Sequence, residues 1–206
     1  MVEFDQIPDA ARQKIAQDAL PLVARHDVKT LGAPGETLML GNSLQEEMLP
    51  LGAIVAAENQ SPQPTGQTFS LLQAPSQHST LGTGRGNPPR FVGHVIAGPG
   101  VGKDLGTAAT NEWSVTAVSS SDLSARIQEA IEWIDVNVNG TLRVRVLSVP
   151  AYQVTALTLY EDENLVGIVA LPRVDDPTFE RNRLYSLAQF IERLRQLPGA
   201  EGLAIP

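Results

Sequence analysis

The chain contains no cysteine, and that absence removes disulfides, thiolate zinc sites, thiol nucleophiles and thiolate iron-sulfur clusters together. Charge is also scarce at 18% of 206 residues, and 15 Lys and Arg against 23 Asp and Glu leave a net charge of −8. A surplus of that sign opposes nonspecific binding to nucleic acid or to an anionic membrane, so neither is expected as a partner. Long apolar runs are missing as well. The longest weakly apolar stretch, Met48 to Ala57, is broken by Pro50 and Gly52 and is too short to cross a bilayer. The first residues carry Glu3, Asp5, Asp9 and Asp18 with no basic leader, which argues against a signal peptide and for a soluble, cytoplasmic protein. A hydrophobic fraction of 42% is nevertheless ordinary for a folded chain.

One further absence divides the sequence. From Asn59 to Lys103 there is neither Asp nor Glu, and the first two thirds of that window are rich in Pro and Gln. Such a composition buries little apolar surface, so residues 59–90 are expected as a linker or long surface loop. Phe69, Leu71 and Leu72 stand out in it as an apolar cluster that could anchor onto a groove of a partner. The expected organisation is a small N-terminal part at 1–58, this linker, a main domain at 91–198 and a tail at 199–206.

Periodicity supplies the elements. Ala11, Ile15, Ala19 and Leu22 recur at helical spacing over residues 8–24, with Pro21 expected to kink or end the helix. Val28–Leu31 and Glu36–Leu40 flank Gly32-Ala33-Pro34-Gly35 as a hairpin, and Ser43-x-x-Glu46 has the spacing of a helix capping box. In the main domain Phe91–Ile96 and Trp113–Val118 are expected strands. A helix near 121–133 follows, with Leu123, Ile127, Ala130, Ile131 and Ile134 on one face. Asn139-Gly140 between alternating residues predicts a hairpin and opens an antiparallel meander of about four strands over 134–171. A last helix near 177–196, capped by Asp176, would bury Leu184, Leu187, Ala188, Ile191 and Leu194. Helices segregated from an antiparallel sheet make an α+β fold.

Chemistry is harder to find. Ala97-Gly98-Pro99-Gly100-Val101-Gly102-Lys103-Asp104 resembles a phosphate-binding loop, but Asp104 places a carboxylate where a magnesium-binding hydroxyl is required, so no cofactor is expected. The three histidines, His26, His78 and His94, have no metal-ligand spacing, and no metal is expected. Glu46-Glu47, Glu161-Asp162-Glu163 and Asp175-Asp176 sit where solvated acids belong, at turns or helix starts. Arg143 and Arg145 are two apart on one strand and therefore share a face. Their ordinary reading is the solvated side of a half-buried sheet; their functional reading is a receptor for an acidic partner or carboxylate ligand. Together these features favour a non-enzymatic binding or scaffold protein that recognises another protein, with Phe69, Leu71, Leu72, Arg143 and Arg145 as partner-binding residues. The alternatives are a hydrolase using His94 as base at the junction of the two parts, and a homo-oligomeric structural component.

Overall fold

A computed structural model describes residues 1–4, 6–26, 37–55, 62–74, 90–98, 112–119, 123–172 and 178–197. Its hydrogen-bonded strand order is β5-β4-β3-β2-β6-β7-β8-β9, with β1 also on β6. The strands are β1 (Val2–Glu3), β2 (Thr37–Met48), β3 (Gln63–Ala74), β4 (Arg90–Gly98), β5 (Ser114–Ser119), β6 (Leu142–Val149), β7 (Val154–Glu161), β8 (Asn164–Ala170) and β9 (Leu184–Tyr185). The helices are α1 (Asp9–His26), α2 (Leu51–Val55), α3 (Leu123–Asn137) and α4 (Leu187–Arg195). The pairs of β6 with β1 and β2 are parallel, while β3/β4, β4/β5, β6/β7, β7/β8 and β8/β9 are antiparallel, so the sheet is mixed and the fold is α+β.

The chain divides into two compact units that interleave in sequence. One comprises Met1–Asp5, Leu44–Thr65 and Arg126–Pro206, the other Gln6–Ser43 and Gly66–Ala125. The divisions fall after Asp5 and inside β2, β3 and α3; the one in β3, between Thr65 and Gly66, lies within residues 59–90, so that segment contributes to both units. The segment expected as linker contains β3, whose residues 67–73 pair with β4. Composition misleads there: the strand is held by its pairing with β4, and Gln67 and Thr68 are buried along with Phe69.

In the first unit residues 134–171 hold three antiparallel strands, β6, β7 and β8, and the two-residue β9 adds to β8 from beyond that range. The fourth expected strand, at 136–138, is instead the end of α3, whose stripe Ile127, Ala130, Ile131 and Ile134 is buried while Val136 is 83% exposed. Asn139-Gly140 encodes positive φ, and here it follows a helix: Gly140 has φ 109 in the turn from α3 to β6. The edge of β6 that a hairpin partner would have taken is shared by β1, at Leu142 and Arg143, and by β2, from Val146 to Ser148. One face of this sheet carries Leu147, Val149, Ala156, Ile168 and Ala170 into a core with Leu49 and Ile54, joined by Phe179, Tyr185, Phe190 and Leu194.

The last helix also begins later than its periodicity suggests. Ser186 caps α4, accepting from the Gln189 N–H at 3.2 Å while the Gln189 side chain accepts from the Ser186 N–H at 3.0 Å. A capping box stops the helix from extending backwards, so Leu184 lies in β9 and Phe190 and Leu194 form the buried stripe, with Ala188 exposed. Asp176 lies outside the described residues.

In the second unit α1 buries Ala11, Ile15 and Ala19 against Leu40, Phe69, Val95, Ala97 and Trp113. Pro21 stays inside the helix. The Arg12 guanidinium donates to the carbonyls of Leu40 and Gly41, tying α1 to β2. The first arm of the expected hairpin lies outside the described residues, and β2 runs straight through Ser43, which is buried in a strand and caps no helix.

Candidate functional site

Parity builds the site. In β6, Leu142, Val144 and Val146 point to one side and Arg143, Arg145, Leu147 and Val149 to the other. Antiparallel register sets Arg143 opposite Tyr160 and Arg145 opposite Thr158, while parallel register sets Glu47 of β2 beside Leu147. The face that is apolar under α2 and α4 thus continues into a polar cluster of Glu47, Arg145, Thr158 and Tyr160, all within the first unit.

Glu47 is its centre. Its carboxylate is 1% exposed, and Arg145 Nη1 donates to Oε1 at 2.7 Å with a side chain only 13% exposed. Thr158 Oγ1 donates to Oε2 at 3.0 Å, and the Tyr160 hydroxyl reaches Oε2 at 2.9 Å. The Arg145 guanidinium also lies over the Tyr160 ring, 4.3 Å from its centroid. A buried carboxylate is tolerable only when its acceptor sites are filled and its charge is paired, and these contacts meet both conditions.

The electrostatics follow from that packing. Burial pulls the Arg145 pKa down, but the hydrogen bond and charge of Glu47, aided by Tyr160 and Glu163, outweigh it and hold the group above its ordinary value. Burial, then the Glu47 charge and hydrogen bond, push the Tyr160 hydroxyl well above the usual tyrosine range. Tyr160 is therefore a hydrogen-bond donor at neutral pH and no base. Glu46, facing the other side of β2, is desolvated by burial, which raises its pKa.

Arg143 and Arg145 share a face, as their spacing dictates, but both already hold carboxylates of this chain. Glu163, in the turn between β7 and β8, accepts from Arg143 Nη1 at 3.0 Å and lies 3.5 Å from Arg145 Nη2. Of the apolar anchors, Phe69 is 0% exposed in the second unit's core, so it offers nothing to a partner in this fold. Leu71 and Leu72 are in β3, paired in register with Gly93 and Phe91. His94 lies in β4, level with Ser70 of β3 and Ser119 of β5. His26 ends α1, and His78 and residues 99–104 of the glycine-rich loop lie outside the described residues.

Glu47, Thr158 and Tyr160 escaped the sequence reading, which placed Glu47 among solvated turn acids. The available signal was the pair of polar residues Thr158 and Tyr160 at alternate positions of β7, on the face that meets two arginines, a set that requires an acid. Among the described residues no three His, Asp or Glu side chains are grouped to hold a metal, and no helix is long and apolar enough to cross a membrane. Comparison with protein-family models, with curated proteins and with solved structures gives no match.

Proposed function

We propose that this chain is a non-enzymatic binding protein that recognises another protein, and that the end of the first unit's sheet bearing Glu3, Asp135, Val136, Glu161 and Glu163 receives it. The observation that carries this reading is the internal neutralisation of Arg143 and Arg145 by Glu163 and Glu47. With the arginines held by Glu163 and Glu47, and Asp135 held by the Met1 ammonium at 3.2 Å, the groups left to a partner at that end are the exposed carboxylates of Glu3 and Glu161 and Val136, the most exposed of the large hydrophobic side chains described. Glu3 is level with Arg143, Asp135 accepts from the Val2 N–H, and Glu161 closes the β7–β8 turn, so these groups neighbour one another. The sign of the partner is thereby reversed from the expectation based on two free arginines: a cationic segment with an apolar contact fits, and an acidic one does not. Capture from source lysate on the immobilised full chain, repeated with Val136→Asp and with Glu161→Lys, tests it. Both variants are expected to lose the same protein; retention of that protein by both sinks the reading.

A hydrolase is the second reading, favoured by one observation, the register that aligns Ser70, His94 and Ser119 across three neighbouring strands of the second unit. Covalent labelling by a fluorophosphonate, abolished in His94→Ala and in one of the two serine variants, would put this reading ahead of the first.

A further inference from the structure

The turn between α3 and β6 joins two features that chemistry makes reactive together. Asn139 is followed by glycine, and both residues are exposed. Gly140 has no side chain to shield its nitrogen and adopts φ 109, so the peptide between them is open to solvent. Among the described residues no hydrogen bond holds the Asn139 amide or the Gly140 N–H; the only bond recorded at Gly140 is to its carbonyl, from the Met1 nitrogen. By contrast Asn137, two residues earlier, has its side-chain amide tied to the Trp133 carbonyl at 2.8 Å.

We propose that Asn139 is a self-modifying site at which the backbone converts the amide to a carboxylate without an enzyme. The deprotonated Gly140 nitrogen attacks Asn139 Cγ, forming a five-membered imide as the Cγ–Nδ2 bond breaks and ammonia leaves with the proton. Water then opens either carbonyl of the imide, giving aspartate or isoaspartate, and the net change is amide plus water to carboxylate plus ammonium. The reaction needs no oxidant, metal or cofactor. It adds a negative charge four residues after Asp135, and the isoaspartate branch lengthens the backbone by one methylene immediately before Gly140. That extra atom disturbs the local bonds which depend on the turn, namely Leu142 N–H to Met1 O at 3.0 Å and Val2 N–H to Asp135 Oδ1 at 3.1 Å. The inference is independent of the partner-binding proposal.

The test incubates the folded full chain at mildly alkaline pH beside a synthetic peptide spanning residues 136–143, with peptide mapping by mass spectrometry and an isoaspartate-specific methyltransferase as readouts. Isoaspartate is expected at residue 139 at a rate close to that of the peptide, to be lost in Asn139→Gln, and to be absent from Asn42, Asn137, Asn164 and Asn182. Amide exchange at Leu142 and Val2 is expected to speed up in the modified fraction. An Asn139 that stays intact in the folded chain while the peptide reacts would overturn the proposal, as would modification spread evenly over the asparagines.

Discussion

Replacing Glu47 by glutamine removes one charge at nearly constant volume and is the sharpest perturbation of the polar cluster. In the native chain the carboxylate is 1% exposed and meets Arg145 at 2.7 Å, with the arginine side chain 13% exposed. Removing one partner of a buried pair costs about 3–5 kcal/mol, because the other charge stays desolvated without compensation. Two features reduce that figure. Glu163 remains 3.5 Å from Arg145 Nη2, and the glutamine oxygen still accepts from one hydroxyl, leaving an expected loss of about 2–4 kcal/mol. For a chain of this length the fall in Tm would be roughly 4–16 °C. Urea unfolding followed by circular dichroism at pH 7 measures the loss, with an unchanged m value showing that the unfolded state is not responsible. A second variant separates charge from packing. Glu47→Leu with Arg145→Met and Tyr160→Phe removes the pair and the hydroxyl that needs it, while Thr158 can still donate to the Arg145 carbonyl at 3.4 Å. That triple variant is expected to be more stable than Glu47→Gln, since apolar replacement of a whole buried pair is often neutral or better. A Glu47→Gln chain within about 0.5 kcal/mol of wild type, the usual effect of a surface substitution, would refute the buried-pair reasoning.

Tyr160 should remain protonated through the ordinary tyrosine range near pH 10, so tyrosinate absorbance should rise by the same amount in wild type and Tyr160→Phe until well past that pH. Because its folded pKa is raised, the stability it contributes is present below about pH 10 and lost as pH climbs through the folded value. Glu46 has the same sign at acid pH: its raised folded pKa disfavours the charged form, so Glu46→Gln should exceed wild type in stability at pH 7, with the gap closing as pH falls through the raised folded value and gone below about 4.3. Ser186→Ala should cost about 1 kcal/mol by thermal unfolding through loss of the α4 cap. Expressed alone, residues 91–198 should give a collapsed amide NMR spectrum, since the fragment lacks Leu49 and Ile54 of the first unit's core and the carboxylate of Glu47; a dispersed spectrum would contradict the division into interleaved units.

Elements that depend on neighbours in sequence were legible. The buried stripes of α1 and α3, the strands β6 to β8, and the shared face of Arg143 and Arg145 follow from spacing alone. What was not legible is pairing at a distance. Asn139-Gly140 states only that the chain turns with positive φ, and whether a strand or a helix precedes it depends on which segment occupies the far edge of β6. That segment is β1 together with the end of β2, some of it more than a hundred residues away. The solvated reading of Glu47 failed for the same reason: Glu47 and Arg145 lie 98 positions apart, and no local pattern reports that a strand will bring them together. Composition misjudged β3 because a Pro- and Gln-rich strand can be held by its partner β4 and by the burial of Phe69.

The sign of the partner surface is the claim on which the functional account rests. Once a captured protein is in hand, titration calorimetry against wild type, Glu161→Lys and Arg143→Glu measures it directly. The account predicts that Glu161→Lys weakens binding at least about tenfold, equivalent to about 1.4 kcal/mol, and that Arg143→Glu leaves it unchanged or tighter. Loss of binding in Arg143→Glu with no loss in Glu161→Lys would show that the arginines, not the acids around them, face the partner.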